Sequence, residues 1–315
     1  MLLVTGGAGF IGSSIVEALV ARGEPVRVLD NFSTGRLENL STVRDAVAIL
    51  AGDLRDQQAV RAAVAGVEVI FHQAALPSVP RSIVDPHTTM EVNVTGTLNL
   101  LLAARDAGCR RVVFASSSSV YGDSPSLPTA ETRAPAPMSP YAVSKLTGEH
   151  LCHVFMRTYG LETVVLRYFN VFGPRQDAGS GYAAVIPTFL NAIRGGRTPV
   201  IYGDGEQSRD FTYVDNVVAA NLLAASTGDA AGRVFNIAAG QSITINSMLR
   251  QMTRMLGVES VPEHAPPRPG DVRASLADLS AAQQSLGYVV RVRFAEGMQR
   301  TIDACLRHCS CPTPQ

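Results

Sequence analysis

At 315 residues, 46% of them hydrophobic and 17% charged, the chain is long enough to bury a full α/β core and has an ordinary soluble composition. Its 27 basic and 27 acidic residues cancel and the pI lies near 7, which removes the electrostatic case for nucleic acid or an anionic membrane surface as a partner. No apolar run reaches the roughly 20 residues of a membrane span, and the first residues already form a strand with no room for a signal peptide, so the expected location is cytoplasmic.

The first predicted strand, Leu2–Thr5, runs straight into Gly6-Gly7-Ala8-Gly9-Phe10-Ile11-Gly12, which opens a helix. Glycines there allow a tight turn, close approach of backbone N–H groups to a pyrophosphate, and tight helix–strand packing, while the helix N-terminus brings a partial positive charge. The second strand, Val26–Asp30, ends in a carboxylate at the distance that suits the adenosine ribose hydroxyls and repels a 2′-phosphate, which favours NAD over NADP. Asn31, Ser33, Thr34 and Gly35, in the loop that follows, join the cofactor-side candidates. After a third strand at Ala48–Leu50, Gly52-Asp53-Leu54 places Asp53 either against the adenine edge or as the cap of the next helix, and the two roles are compatible. A fourth strand, Val67–Phe71, leads to Gln73-Ala74-Ala75, small residues suited to a close backbone pass along the cofactor. Gly23, Gly66, Gly108 and Gly160 each stand where a left-handed residue would end a helix.

The fifth strand, Arg111–Ala115, enters Ser116-Ser117-Ser118-Ser119-Val120-Tyr121-Gly122. In isolation a serine run is a flexible polar loop; at the C-terminal edge of a central strand it lies where open α/β sheets bind ligands. Ser139 and Pro140 then form a helix start, an N-cap followed by a first-turn proline, so Tyr141 and Lys145 project from one face one turn apart. All but one of the 27 basic residues are arginine, and the single lysine is Lys145. Its retention here fits a need for a compact ammonium beside the phenol, although a codon-biased sequence could leave one lysine by chance. An ammonium at that spacing is expected to lower the Tyr141 pKa.

A sixth strand at Thr163–Leu166 completes the alternation, and strand runs apolar on both faces imply a parallel sheet covered by helices on two sides, a doubly wound α/β fold. Beyond residue 170 Gly/Pro turns interrupt shorter elements, with Arg233–Ala238 as one more buried strand. The expected division is a nucleotide-binding domain over residues 1–170 with a returning segment near 206–240, and a smaller C-terminal substrate lobe from 171–205 and 241–310. Cys305, His308, Cys309 and Cys311 crowd the C-terminus, but a structural zinc site wants two separated ligand pairs; the reading is a frayed end and no metal.

TGGAGFIG (5–12), the Asp30 terminus, the serine segment and YAVSK (141–145) resemble an extended short-chain dehydrogenase/reductase, which implies a Rossmann-type sheet and NAD. RYFNVFGPRQ (167–176), GDGEQSRDF (203–211) and PRPGDVRASLAD (267–278) resemble the nucleotide-sugar 4-epimerase branch; AAL-x-SVPRS (74–82) and GYAAVIP (181–187) are most similar to UDP-N-acetylglucosamine 4-epimerases. The resemblance spans residues 2 to about 290. It implies Tyr141 as general base toward the sugar O4, Lys145 on the nicotinamide ribose, and Ser117 as proton relay with Ser118 and Ser119 near the sugar. Asn93 and Phe169 would sit by the cofactor. Ser78, Asn170, Ala184, Val185, Tyr202, Arg209, Arg268, Asp271 and Ser275 would line the UDP-sugar site. Hydride would leave C4, the 4-keto sugar would turn, and hydride would return to the other face.

Dehydratases and decarboxylases on this scaffold usually carry an acid where Ser118 and Ser119 stand. A UDP-glucuronate 4-epimerase stays open, with Arg175 as a carboxylate partner, and an NAD sensor without turnover is disfavoured by the intact Tyr/Lys pair. Ser275 leaves room beside C2 for an N-acetyl group but also admits UDP-glucose, and Pro77 stands where glycine is frequent in such relatives. The resemblance further implies a homodimer joined through Pro86–Ala107 and Pro140–Tyr159; Met90, Val94, Leu98 and Leu101 fit that face or an internal core equally well.

Overall fold

The computed structural model describes residues 1–123, 126–177, 184–267 and 272–307. Seven strands, β1 (Leu2–Thr5), β2 (Val26–Asp30), β3 (Val47–Ala51), β4 (Val69–His72), β5 (Arg111–Ser117), β6 (Glu162–Tyr168) and β7 (Val234–Ile237), form one parallel sheet in the order β7-β6-β5-β4-β1-β2-β3. Successive side chains leave a strand on opposite faces. Leu3 and Leu29 therefore enter one core cluster, and Val4 and Val28 enter another. The first cluster is closed by α2 (Gln57–Val64), α3 (Gly96–Asp106) and α4 (Pro140–Tyr159), through Val60, Leu100 and Phe155. The second is closed by α1 (Phe10–Val20) and α5 (Val214–Ser226), through Ile15 and Val217. This is the doubly wound arrangement. The order reverses beside β1, which opens a crevice at the carboxyl ends of β1 and β4 where such sheets bind ligands.

The expected strand and helix-end signals hold, with shifts that have local causes. Gly23, Gly66, Gly108 and Gly160 all take positive φ, from 68° to 75°. β4 starts two residues late because the Val67 N–H turns back to the Val64 carbonyl. β6 runs on through Arg167 and Tyr168.

Past β6 the strands outside the main sheet are short: Val171–Phe172 pairs with Thr212–Tyr213, Ser208–Asp210 with Ser242–Thr244, and Val200–Tyr202 with Glu263–Ala265. Met248, Phe294, Met298 and Ile302 belong to the same hydrophobic cluster as Val4 and Ile15, so this region shares a core with the sheet. The Asp210 carboxylate gathers the Ala239, Gly240 and Ala277 N–H groups, and burial pushes its pKa up to about 6 against their pull. Ahead of α3, the chain forms the helix Pro86–Met90 and a π-helical turn, Glu91–Thr95. Of the four apolar residues at dimer spacing, Leu101 is fully buried and Leu98 packs on the core, whereas Met90 and Val94 line a surface hollow with His87 and Thr147. No helix among the described residues is long and apolar enough to cross a membrane.

Candidate active site

The cofactor end is built from main chain. Gly6 has φ +67°, and a Cβ there would lie 2.7 Å from the Ala74 N and Cα atoms; any side chain at Gly12 would strike the Gly6 carbonyl. Among the described residues no side chain caps α1, so the first-turn N–H groups of Phe10, Ile11 and Gly12 suit an anion. The Asp30 carboxylate, buried at the end of β2, accepts the Ala8 N–H at 2.9 Å and the Phe32 N–H at 2.8 Å. Each oxygen keeps a further lone pair for a ribose hydroxyl. Asn31, Ser33 and Thr34 stand exposed at the rim with Gly35 buried behind them. A side-chain-free cradle, an uncapped helix start and an anchored carboxylate fit a dinucleotide.

Asp53 does not cap the next helix. Its carboxylate pairs with the Arg55 guanidinium at 2.9 and 3.0 Å and with the Asn31 amide at 2.8 Å, and the Arg55 bond above all holds its pKa well below the usual range. The Asp56 N–H folds back on the Asp53 carbonyl, so the helix starts later and Asp56 caps α2 through the Gln58 and Ala59 N–H groups. Leu54 is buried and its carbonyl accepts the Asn99 amide. The Gln73 side chain is held by Asn221 and Tyr168. Phe169 lies in the core against Tyr121.

At the reacting end, β5 delivers Ser117 and α4 delivers Tyr141 and Lys145. Ser139 Oγ accepts the Ala142 N–H at 3.1 Å, with Pro140 in the first turn. Gly148 lets the helix lie on β5, because any side chain there would strike the Phe114 ring. Ser117 lies beside the buried Tyr141 phenol, close enough to pull its pKa down slightly, and accepts the Ser119 N–H and hydroxyl at 3.2 and 2.9 Å. The expected acidity of Tyr141 is corrected: burial pushes the phenol up to about 12, offset only in part by the neighbouring Ser117. The ammonium is directed elsewhere, donating to the Ala115 carbonyl at 2.8 Å, and burial lowers its own pKa to about 8.

Two supporting groups, His72 and the Glu149–Arg167 pair, lie outside the sequence-derived set. His72 is buried between Thr5 (2.8 Å) and Thr97 (2.9 Å). Thr97 donates to the Asn93 carbonyl, so it accepts from His72 Nε2–H, and Nδ1 accepts from Thr5. Burial, then the Lys145 charge, lowers His72 to about 3 and keeps it neutral. Asn93 itself bonds both the N–H and the carbonyl of Leu76 and donates to Ser144, so its side chain holds the loop after β4 to α4. Glu149 and Arg167 form a buried ion pair at 2.7 Å. A charged residue inside an apolar strand run, Val164-Val165-Leu166-Arg167, was the available sign of it.

On the sugar side the structure joins Asn170 and Ser275, whose hydroxyl donates to the Asn170 carbonyl oxygen at 3.4 Å; Asn170 has φ +24° and is exposed. Arg209 lies on the strand Ser208–Asp210, alongside the segment that carries Ser275. Ser78 caps the helix Val79–Val84, which packs on α4. Ala184 precedes and Val185 opens the helix Val185–Arg194, and Tyr202 ends a short strand. None of the described hydrogen bonds joins Ala184, Val185 or Tyr202 to Ser117 or Tyr141. Arg268, Asp271, His308, Cys309 and Cys311 lie outside the described residues.

A parallel sheet with a glycine-lined crevice, an acidic end to β2, and serine, tyrosine and lysine on the adjoining strand and helix defines an NAD-dependent enzyme of the short-chain dehydrogenase/reductase type. The profile of the NAD dependent epimerase/dehydratase family matches residues 2–238, and the chain belongs to that family. It is 41% identical over 310 residues to the UDP-glucose 4-epimerase of Mycolicibacterium smegmatis, covering 96% of this chain and 97% of the relative. The UDP-N-acetylglucosamine 4-epimerase of Methanobrevibacter ruminantium, solved with UDP-N-acetylmuramic acid, superposes with a TM-score of 0.93 at 40% identity, over 98% of both chains. The Thermus thermophilus UDP-glucose 4-epimerase, solved with NAD, gives 0.88 at 40% identity over 96% of this chain and 98% of the other.

Proposed function

We propose that this NAD-dependent nucleotide-sugar 4-epimerase inverts C4 of UDP-N-acetylglucosamine and UDP-N-acetylgalactosamine, and also accepts UDP-glucose and UDP-galactose. NAD, held by the Gly6–Gly12 turn and Asp30, supplies the acceptor and donor of the C4 hydride when bound. The chain's own residues handle the proton and the pose. Tyr141 takes the O4 proton, Ser117 passes it on, and the Lys145 ammonium favours the phenolate once substrate and cofactor close the site. Arg209, with Arg268 and Asp271, grips the UDP diphosphate and ribose; Asn170 and Ser275 face the sugar, whose bound position lies against the 171–205 and 241–310 lobe.

The observation that carries the reading is the buried Tyr141 phenol beside Ser117, with Lys145 one turn on and hydroxyls at Ser118 and Ser119 where an eliminating enzyme needs an acid. The uronate alternative loses its cation: Arg175 is engaged by Glu17 at 2.7 Å, Ser14 at 3.2 Å and the Asn39 carbonyl at 3.1 Å. The proposal includes a cytoplasmic homodimer, supported by exposed Ile83, Val84, Val143, Val154 and Tyr159 along the helices beside α4 and on α4 itself. Incubation with UDP-GlcNAc, UDP-Glc and UDP-GlcA separately, followed by NMR, tests it. The expected result is C4 inversion with the hydrogen retained, fastest for UDP-GlcNAc; loss of water or CO₂, or inversion of UDP-GlcA alone, overturns it.

A further inference from the structure

The stripe of α4 that carries Tyr141 and Lys145 continues one turn further to Glu149, and all three residues are buried. The Glu149 carboxylate takes the Arg167 guanidinium side-on, with Nε at 2.9 Å on Oε1 and Nη2 at 2.7 Å on Oε2. Oε1 also accepts the hydroxyl of Ser116, the residue before Ser117. Arg167 in turn donates through Nη1 to the Tyr121 hydroxyl at 2.8 Å and lies 4.7 Å over its ring, and Tyr121 donates to Asn236 at 2.7 Å. Ser116 and Tyr121 are the two ends of the turn that presents Ser117. A buried pair of this kind adds little net stability over apolar residues of equal volume, so its place beside the reacting groups is the feature that needs a cause.

We infer that Glu149 and Arg167 are positioning residues that fasten the serine turn at both ends, and that the Glu149 carboxylate helps keep Lys145 protonated inside the protein. This rests on the reading of Ser117, Tyr141 and Lys145 as the reacting groups. The charged and titratable groups around Lys145 agree with it. Cys152 and Glu149 on α4 favour the ammonium, the Tyr141 phenol lies one turn away, β4 contributes the neutral His72, and β6 brings the opposing Arg167 guanidinium, paired with Glu149. From β5 come the Ala115 carbonyl and the Phe114 ring at 5.1 Å, neither of them titratable. Glu149 is the carboxylate that offsets the desolvation of that ammonium.

Because Lys145 is the only lysine, ¹⁵N-lysine labelling reports its ammonium alone. In Glu149→Gln the NMR titration midpoint should fall by about one unit or more. In the same variant kcat for UDP-GlcNAc should fall by about tenfold or more while KM stays within about threefold. Glu149→Asp should recover part of both. Ser116→Ala, which unfastens one end of the turn without changing charge, should lower kcat and leave the midpoint in place. Should Arg167 without its partner unfold the protein, Glu149→Asp, which keeps the pair and draws the carboxylate back, is titrated instead, with a smaller fall of the midpoint expected. A midpoint that stays at the wild-type value in the foldable variant overturns the inference. The titration needs no substrate, so it stands even where wild-type protein turns over none of the UDP-sugars, an outcome that defeats the proposed activity alone.

Discussion

On the cofactor side of the crevice, Gly6 and Gly12 present bare main chain, and the Asp30 carboxylate is held by the Ala8 and Phe32 N–H groups. On the other side, Ser117 is held by the Ser119 hydroxyl and Lys145 by the Ala115 carbonyl, with the Tyr141 phenol buried beside Ser117. The first wall works by leaving atoms out, so it should fail when atoms are added. In the proposed reading the second works by proton placement, so it should fail when shape is kept and a proton-bearing group is lost.

Tyr141→Phe breaks the second wall alone: turnover should fall by about a thousandfold or more, while NAD released on denaturation stays at the wild-type amount. Near-normal turnover would remove Tyr141 from its role. Lys145 probes the same wall through stability. Burial depresses its pKa from 10.5 to about 8, so its contribution is fully present above the unfolded value and is lost as pH falls through about 8. Relative to Lys145→Met, wild-type protein should gain about 3 kcal/mol in urea unfolding between about pH 7 and about pH 11; a flat difference contradicts the assignment. Gly12→Ala attacks the first wall by overlap with the Gly6 carbonyl and should cost about 2 kcal/mol of unfolding free energy together with most of the bound NAD. Asp30→Asn should weaken NAD binding about tenfold and narrow its margin over NADP, read by titration of each nucleotide. Asp56→Ala removes only the α2 cap, for about 1 kcal/mol, with kcat unchanged; the same substitution at Asp53 should not mimic it.

What could be read from the chain follows from how local each signal is. Apolar runs and glycine stops outlined the sheet because each lies within a few residues of its cause, and Tyr141 and Lys145 were paired by helical spacing alone. Ser117 joins them only through the packing of α4 on β5. Asp53 and Asp56 are the same residue type three positions apart, and a turn closed by a single backbone bond decides which one caps α2. Arg167 ends an apolar run in sequence, yet β6 continues through it because its charge is matched by Glu149, 18 residues earlier. The Tyr141 pKa went the other way from its spacing because burial outweighs a charge whose hydrogen bond goes to Ala115. The Arg268 and Asp271 roles remain part of the proposal.

The Asp210 clamp has a consequence for how such a protein diversifies. One carboxylate ties together main chain from around residues 210, 239 and 277, so the surface carrying Arg209 and Ser275 behaves as a single plate instead of three loose loops. Ser275 Oγ is tied into the same plate, accepting the Asp210 N–H at 3.2 Å, so only a replacement that keeps an acceptor oxygen there can change what the plate touches while the backbone beneath stays put.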